Sequence, residues 1–292
     1  CFIFMKRRLV HNFEDVVSVE NLLRAWFLFL RGKRSRLDVQ YFQFYLIDNI
    51  LALHNSLADK TYRHGIYNTF RIADPKPRVI HKASVQDRLV HHALYRVLYP
   101  FFDNTFIADS YSCRNDRGTH KAMARFDQMA RKVSQNHTRT CWVLKCDIKQ
   151  FFASVNHQTL LNVLNEYIPD RDITWLYEEI ISSFHSTRPG VGLPLGNLTS
   201  QLFVNIYMNE FDQFVKHRLK AKYYIRYADD FVLMSHNRDH LKNKTPEIKR
   251  FLEMELHLTA HKISIRTVAS GVDFLGWVHF PDHRVLRTST KR

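Results

Sequence analysis

Two adjacent carboxylates interrupt the apolar sequence YYIRYADDFVLM at residues 223–234. Tyrosine, isoleucine, valine and phenylalanine favour strands, so the flanks of Asp229 and Asp230 predict a strand on either side. Neighbouring carboxylates repel each other, and burying either one is costly without a cation or a hydrogen-bond donor nearby. Two interpretations follow: a hairpin with strands at 222–228 and 231–235 joined by an acidic turn, or the same hairpin carrying a metal site.

A third carboxylate, Asp147, stands near the end of the continuous apolar run CWVLKCDI, which predicts a buried strand. Asp229 follows it by 82 residues. Carboxylates from two separate strands can meet on one face of a sheet and hold Mg²⁺, which prefers hard oxygen ligands and keeps waters and substrate phosphates in its shell. Two such ions can clamp the attacking and leaving oxygens of a phosphoryl transfer. The alternative for Asp147 is a strand-end residue that caps a turn.

Helical and strand periodicities surround these carboxylates. The predicted helices lie at about 19–30, 38–57, 119–134, 157–167, 172–184, 198–219 and 246–256. Strands are expected at 262–268 and 272–279, and residues 65–83 predict a hairpin that turns at Asp74–Pro77. A further helix opens at Ser84, ends at Pro100 and buries one apolar stripe: Val85, Leu89, Ala93, Leu94, Val97 and Leu98. An antiparallel hairpin among helices, without a regular βαβ series, is typical of an α+β fold.

The chain is strongly and unevenly basic. Its 292 residues hold 43 Lys and Arg against 28 Asp and Glu, a formal net charge of +15. Residues 1–140 carry 23 basic and 12 acidic residues, a net of +11, whereas residues 141–292 carry 20 and 16, a net of +4. Because the basic residues recur among aromatic ones, the composition favours a nucleic-acid partner over a merely basic surface.

The composition also excludes several classes of protein. An apolar content of 45% is typical of a globular chain. The longest apolar stretches, such as AWFLFL at 25–30, are far too short to span a membrane, so we expect no membrane partner. The four cysteines show neither metal-ligand spacing nor a disulfide pattern, which predicts a cytoplasmic protein.

Several ordered segments resemble the motifs of reverse transcriptases. In the second half of the chain they are LKCDIKQFFASV (144–155), GLPLGNLTSQLFVNIYMNEFD (192–212), YADD (227–230) and FLGW (274–277). Upstream, the segments PKPR (75–78), VQDRLVHHALYRVLYPFFD (85–103) and DSYSCRNDRGTHKA (109–122) are similar to the group II intron-like branch. Within that branch the likeness is greatest to the reverse transcriptases of diversity-generating retroelements. The resemblance covers about residues 20–292.

This resemblance implies an α+β, right-hand polymerase fold of fingers and palm, with a small antiparallel palm sheet. The implied division is fingers at 1–140 with the N-terminal helices and the basic hairpin, palm at 141–156, fingers and palm helices at 157–190, palm at 191–280, and the start of a thumb at 281–292. Because the thumb is largely missing, we expect the chain to be a fragment.

The resemblance also implies the catalytic residues. Asp147 and Asp229 would hold two Mg²⁺ ions, for which Mn²⁺ could substitute, and Asp230 would support them electrostatically. Phe152 would be the steric gate that excludes the 2′-hydroxyl of a ribonucleotide; the alternative is a core phenylalanine. Lys262 would assist the departure of pyrophosphate as an acid.

Further residues would contact nucleotide or nucleic acid. On the basic hairpin, Lys76 and Arg78 would grip the triphosphate of the incoming nucleotide. Arg114 would lie along the template or the nucleotide, and Arg88 would contact the template backbone or else pair with Asp87.

The segment PLGN (194–197) and the start of the helix after it would supply three more contacts, because free backbone N–H groups at a helix start can meet phosphate and sugar. These residues are Gly196, Asn197 and Ser200. Leu195 stands where many reverse transcriptases carry Gln, which helps to position the incoming nucleotide. Losing that polar contact should loosen geometric selection. An aliphatic residue at this place is similar to the diversity-generating enzymes, and this resemblance implies errors at template adenines.

The expected function is RNA-templated DNA synthesis from deoxynucleotides in a diversity-generating retroelement. Alternatives within the class are a phage-defence, retron or group II intron-type reverse transcriptase. An alternative of another class is a catalytically inactive RNA-binding scaffold. The expected partners are template RNA, a DNA primer or its cDNA product, and a small basic oligomeric accessory protein.

Overall fold

The computed structural model describes residues 6–73 and 77–288. Its α-helices are α1 (Phe13–Val17), α2 (Val19–Phe29), α3 (Leu37–Phe44), α4 (Leu46–Ala58), α5 (Val85–Asp103), α6 (Thr119–Val133), α7 (Phe151–Ser154), α8 (His157–Tyr167), α9 (Arg171–Ser182), α10 (Leu198–Gln213) and α11 (Arg238–Met254). Its strands are β1 (Asn68–Ile72), β2 (Arg78–Lys82), β3 (Trp142–Ile148), β4 (Tyr224–Tyr227), β5 (Asp230–Ser235), β6 (Ala260–Thr267), β7 (Val272–Phe274), β8 (Trp277–His279) and β9 (Arg284–Leu286). The predicted α+β class is confirmed.

The chain forms two compact units that are interleaved in sequence. The first comprises Cys1–Ile72, Pro77–Asn104 and His157–Phe203, and the second comprises Ala73–Lys76, Thr105–Asn156 and Val204–Arg292. The predicted palm segment 141–156 therefore falls wholly within the second unit. The names fingers, palm and thumb for these parts of the chain stay predictions.

The first unit is helical and contains the predicted basic hairpin. Strands β1 and β2 pair antiparallel from Asn68↔Lys82 to Ile72↔Arg78. The Ser84 side chain accepts a hydrogen bond from the backbone N–H of Asp87 at 3.0 Å, which confirms the predicted helix start. All six residues of the predicted apolar stripe on α5 are buried.

Two expectations for this unit were wrong. The predicted helix at 38–57 is two helices, because Tyr45 leaves the helical conformation between α3 and α4 at φ −107° and ψ 34°. Helix α5 does not end at Pro100 but continues to Asp103. Beyond the proline, Phe102 is fully buried, so tertiary packing outweighs the loss of the one backbone donor that proline lacks.

The second unit is built on an antiparallel four-stranded sheet in the order β4-β5-β3-β6. Helix α6 packs its apolar side chains, including Phe126 and Met129, against Val143, Val232 and Met234 of this sheet. A smaller antiparallel sheet, β7-β8-β9, adds Phe274 to the same core. The sheet thus has a continuous apolar centre, and charged residues are left at its two ends.

Several boundaries in this unit differ from the sequence-based expectations. The predicted helix at 198–219 stops being α-helical at Gln213 and continues as a π-helical turn over Phe214–Arg218. Helix α11 begins at Arg238, well before the predicted start at 246, because the Asn237 side chain caps it by accepting from the backbone N–H of His240 at 3.1 Å. The predicted strand at 272–279 is the separate pair β7 and β8.

Candidate active site

The acidic hairpin joins β4 to β5 through the two-residue loop Ala228–Asp229. Tyr227 pairs with Asp230 in the ladder, so Asp230 is the first residue of β5. The sequence-based prediction, which placed Asp230 in the turn, was wrong on this point. Ala228 takes a left-handed conformation at φ +54°. Tight two-residue hairpin loops need such positive φ values to match the twist of the strands. The loop therefore presents Asp229 at the tip and Asp230 at the start of the strand.

Strand β3 brings the third carboxylate to the same end of the sheet. Its antiparallel pairing with β5 ends at Cys146↔Phe231, so the next residues along the ladder, Asp147 and Asp230, stand opposite each other. Because side chains alternate along a strand, Lys145 shares a face with Asp147. The Lys145 Nζ lies 3.3 Å from Oδ2 of Asp230. We call Asp147, Asp229 and Asp230 the acidic end of the sheet.

The environment at the acidic end disfavours the charged form of Asp230. Burial raises the pKa of Asp230 to about 7, and the charges of Asp147 and Asp229 act in the same direction, whereas Lys145 opposes them. The Oδ1 atom of Asp230 is buried and has no hydrogen-bond partner within the described structure. A carboxylate in this state is poised to gain a cation or a proton.

These residues fit a divalent cation of the magnesium type. Within residues 6–73 and 77–288, no group of three or more His, Cys, Asp or Glu side chains forms a ready-made metal cage. Mg²⁺ rarely uses such a cage, since it is usually bound by one or two carboxylates together with waters and substrate phosphates. The unpartnered Asp230 oxygen and the carboxylate pair on adjacent strands meet that requirement.

A buried ion pair fixes the acidic hairpin to the core of its unit. The Arg226 guanidinium donates from Nε and Nη2 to the two carboxylate oxygens of Asp212, at 2.8 and 2.7 Å, and both side chains are fully buried. Its Nη1 donates to the Ala228 carbonyl at 3.1 Å, inside the hairpin loop. Tyr224 also donates to Asp212, at 2.7 Å. Arg226 therefore connects helix α10 directly to the loop that carries Asp229.

Lys262 lies at an irregularity of the sheet beside Asp147. The register between β3 and β6 shifts between Lys145↔Ser264 and Asp147↔His261, so β6 contains one extra residue there. Lys262 is exposed and left-handed at φ +49°, an uncommon conformation for a residue with a side chain. Bulges of this kind often occur next to active sites, where they redirect a side chain.

Phe152 follows the acidic end on the short helix α7. Its ring is half-buried and meets the ring of Phe151 edge-on, with centroids 5.7 Å apart. Phe151 is buried, whereas its neighbour keeps an accessible face. Within this unit Phe151 is thus the core residue, and Phe152 is free to contact a ligand.

In the first unit, the PLGN loop is attached to the basic hairpin. The backbone N–H of His81 on β2 donates to the carbonyl of Leu195 at 3.0 Å. Gly196 has φ +115°, and a Cβ atom there would lie 2.9 Å from Cγ2 of Ile80. Glycine is therefore required where this loop meets β2, the strand that begins with Arg78. Lys76 lies outside the described residues.

Two polar residues of the same loop and helix start are buried. Asn197 and Ser200 are 3% and 2% exposed. The Nδ2 atom of Asn197 has no hydrogen-bond partner within the described structure. Buried amides normally find a partner, so this donor is suited to a ligand or a water.

The two predicted arginines are held by other protein groups. Arg88 pairs with Asp38 at 2.8 Å, and not with Asp87 as one interpretation had it. Arg114 donates to the carbonyls of Ile107 and Ser110 at 2.8 and 3.0 Å. Both guanidinium groups support local backbone or an ion pair in this structure, and a contact with nucleic acid stays a prediction.

Sequence reasoning missed Lys145, Arg226 and Asp212. A signal was present for the first two. Lys145 lies two residues before Asp147, on the same face of a strand. Arg226 is a charged residue within an apolar strand, and such a residue requires a buried partner of opposite charge. Nothing in the sequence alone pointed to Asp212 as that partner.

The fold defines a class of protein. The chain resembles apo telomerase from Candida tropicalis with a TM-score of 0.56 and 12% identity, over 75% of this chain and 48% of that one. Telomerase from Candida albicans gives the same TM-score of 0.56, over 80% and 48%. A likeness at this identity concerns the fold alone, and it bears out the predicted right-hand polymerase fold.

Sequence comparison gives the family. The model of the reverse transcriptase (RNA-dependent DNA polymerase) family matches residues 72–279. The chain belongs to this family. It is 27% identical to Protein YkfC of Escherichia coli strain K12 over 71% of this chain and 63% of that protein. It is 26% identical to the group II intron-encoded protein LtrA of Lactococcus lactis over 75% of this chain and 34% of that protein.

The chain thus spans 63% and 34% of the length of these two relatives. The predicted group II intron-like relationship is confirmed by the match to LtrA. Among the described residues, no helix is long and apolar enough to cross a membrane.

Proposed function

We propose that this protein is an RNA-directed DNA polymerase, which extends a DNA primer with deoxynucleotides on an RNA template. The observation that carries the proposal is the acidic end, where strand pairing brings Asp147 opposite Asp230 and next to the loop residue Asp229. Membership of the reverse transcriptase family supports the same reaction.

In this proposal Asp147 and Asp229 hold two Mg²⁺ ions, or Mn²⁺ in their place, and Asp230 supports them electrostatically. The ions, when bound, would stabilise charge on the attacking and leaving oxygens. Lys145 holds the Asp230 carboxylate from the same face of the sheet. Lys262, exposed at the bulge beside Asp147, would give a proton to the departing pyrophosphate.

Other residues would select and bind the nucleotide. Phe152 would exclude a 2′-hydroxyl through its accessible ring face. Lys76 and Arg78 would bind the triphosphate, and Arg can do so through two parallel N–H groups. Leu195 and Gly196 lie against β2, the strand that carries Arg78, and would also contact the incoming nucleotide.

We further propose that the template RNA and the primer meet polar groups of the loop before α10 and of the arginine segments. Asn197 has a buried unpartnered donor for this purpose, and Ser200 lies one helical turn beyond it. Arg88 and Arg114 would have to share their present protein contacts with a phosphate. A small basic oligomeric accessory protein is the further partner that we expect.

Error-prone copying at template adenines is the finer part of the proposal. Leu195 supplies an aliphatic side chain where many reverse transcriptases have Gln, so a polar contact to the incoming nucleotide is missing. The Leu195 carbonyl already accepts a hydrogen bond from the backbone N–H of His81, so a contact of this residue with the nucleotide would depend on its side chain. Leu195→Gln should lower misincorporation opposite adenine several-fold, as sequencing of the cDNA would reveal. An unchanged error spectrum would contradict the role of Leu195.

A group II intron-type role is the second candidate, and the match to LtrA favours it. The two roles differ in what stands near the gene. Two adjacent near-repeats that differ mainly at adenines would favour a role in a diversity-generating retroelement. Intron sequence around the gene would favour the group II intron-type role.

Primer extension by the full-length protein tests the function. We expect DNA synthesis on RNA templates with deoxynucleotides and Mg²⁺, and its loss in Asp229→Ala while RNA affinity is kept. Asp239→Ala, which removes an exposed carboxylate on α11, is the matched control and should retain activity. Synthesis by Asp229→Ala would overturn the site, and RNA binding without any synthesis by the wild type would identify a scaffold.

A further inference from the structure

The end of the sheet opposite the aspartates opens into a basic pocket of about 370 Å³. Its cationic lining consists of Lys132, Arg139, Lys220, Lys222 and Lys244. No aspartate or glutamate lines it. All of these residues belong to the second unit. We call this cavity the basic pocket.

The cations of the basic pocket keep their charge available. None of the five makes an ion pair with a carboxylate among the described residues. Lys244 donates to the Leu219 carbonyl, and Lys222 lies over the ring of Tyr223 at 5.6 Å, but neither contact neutralises charge. Lys132, Arg139 and Lys222 are exposed. Five like charges around one cavity repel each other unless an anion lies between them.

The floor and one wall of the basic pocket suit a nucleotide unit. Leu233, Met234 and Leu241 are buried beneath it, and the half-buried ring of Tyr223 stands at its side. Its volume lies near the lower limit of ligand pockets, which fits a small group better than a protein segment. Aromatic rings beside backbone-binding cations are typical of single-stranded nucleic-acid sites.

The basic pocket is separate from the acidic end. Strand β5 connects them, with Asp230 at its start and Ser235 in the wall of the pocket. At about 3.3 Å per residue, the strand places about 16 Å between these two positions. A ligand phosphate in the basic pocket is therefore too far away to be the one that reacts.

We propose that the basic pocket binds the phosphate backbone of an RNA strand at a site outside the catalytic centre. This inference rests on the proposed function, because it assigns the pocket to the RNA that the enzyme copies. Phosphate is the chemistry recognised, and the pocket would hold the strand by charge. It gives affinity that is independent of sequence, since phosphate contacts carry no base information.

Binding of a fluorescent single-stranded RNA to the full-length protein, followed by anisotropy over a series of salt concentrations, tests the inference. The pocket variant combines Lys132→Gln, Arg139→Gln and Lys222→Gln, all at exposed positions that should leave folding intact. The control variant combines Lys242→Gln, Arg250→Gln and Arg266→Gln, which remove the same charge at exposed positions outside the pocket.

We expect the pocket variant to bind RNA at least tenfold more weakly near 0.1 M salt. Each lost phosphate contact lowers the slope of log affinity against log salt by about 0.7 for single strands, so three contacts should lower it by about 2. The control variant should keep the wild-type slope. Equal losses in both variants would overturn the pocket and leave only a general charge effect.

Two further arms separate the sources of the anion. If inorganic phosphate binds the wild type but not the pocket variant in calorimetric titration, while both proteins bind RNA with the same affinity and salt slope, the site is one for free phosphate and the RNA inference fails. If a labelled polyglutamate peptide depends on the pocket more than RNA does, the partner is an acidic protein. The binding assay contains no primer or nucleotide, so failure of the proposed polymerase activity would be seen separately in primer extension.

Discussion

The two ends of the four-stranded sheet carry opposite charge, although they share the same strands and the same apolar centre. The acidic end holds three aspartates, with Lys145 paired to Asp230 and Lys262 at the bulge beside Asp147, and burial raises the pKa of Asp230 to about 7. The basic pocket at the other end is lined by five cations and no carboxylate. The clustered cations of the basic pocket repel one another, which is unfavourable for the isolated protein.

The difference between the ends indicates two kinds of ligand. The acidic end would be relieved by a divalent cation, and the basic pocket would be relieved by phosphate. An extended polyanion with bound Mg²⁺ supplies both at once. Because strand β5 separates the ends by about 16 Å, we expect catalysis to depend on the acidic end and RNA affinity on the basic pocket.

The largest expected effect is on catalysis at the acidic end. Asp147→Asn keeps the size of the side chain but removes the charge that would hold the metal ions, so primer extension should fall at least about a thousandfold. RNA affinity should change little, because the basic pocket is untouched. Asp282→Asn, at an exposed position, serves as the control. Near-normal turnover in Asp147→Asn would break the assignment of chemistry to this end.

The next effect concerns the ion pair beneath the acidic hairpin. Arg226→Met leaves Asp212 fully buried without its partner, which should lower the free energy of unfolding by about 3 kcal/mol. Urea denaturation measures this change, with the exposed Arg266→Met as control. The variant Arg226→Lys restores the charge but not the two-pronged geometry, so it should recover only part of the stability.

A second measurement on Arg226 tests whether it positions the loop with Asp229 or only stabilises the fold. Its bond to the Ala228 carbonyl lies in the loop that presents Asp229. Arg226→Lys should therefore require a higher Mg²⁺ concentration for half-maximal extension at a temperature where it is fully folded. An unchanged Mg²⁺ dependence would restrict this arginine to stability.

The acidic end could be predicted from the sequence because its signals are local. An apolar run that ends at Asp147 and an acidic pair between strand-forming residues indicate strands whose ends carry carboxylates. The helix start at Ser84 and the stripe on α5 were likewise correct, since caps and periodicity depend on neighbours in sequence.

The features that sequence reasoning missed depend on distant contacts. Arg226 and Asp212 meet only when α10 packs beside β4. The basic pocket combines residues from α6 and the loop after it, the segment 220–223 before β4, β5 and α11, and no single segment of the chain shows the cluster. The extra turn after Pro100 was missed because burial of Phe102 outweighs a local breaker.

A smaller effect is expected for sugar selection near the acidic end. Phe152→Ala removes the accessible ring and should raise ribonucleotide incorporation about 10- to 100-fold relative to deoxynucleotides. Single-nucleotide extension with each substrate gives the ratio. Phe151→Ala is the matched control, because it removes a buried ring and should lower stability without altering the ratio. Unchanged sugar discrimination in Phe152→Ala would reject the gate.

The smallest expected effect is on the pKa of His240, which lines the basic pocket, and on the stability that depends on this pKa. Burial, followed by the charges of Lys244 and His236, lowers the pKa of His240. A lowered histidine pKa means that the folded state resists protonation, so its contribution to stability is present above the unfolded pKa of about 6.5 and is lost as the pH falls through the folded value. Because His240 is exposed, the stability change should stay below about 0.5 kcal/mol.

NMR titration of His240 measures how the charges of the basic pocket act on its pKa. Lys244→Gln should raise the pKa of His240, because it removes a neighbouring positive charge, and bound RNA should raise it further in the wild type by placing phosphate in the pocket. The variant Lys242→Gln, outside the pocket, should leave the titration unchanged. If RNA binds tightly but does not alter the titration of His240, the strand does not lie in the basic pocket. The assignment of catalysis to one end of the sheet and RNA binding to the other would then be wrong.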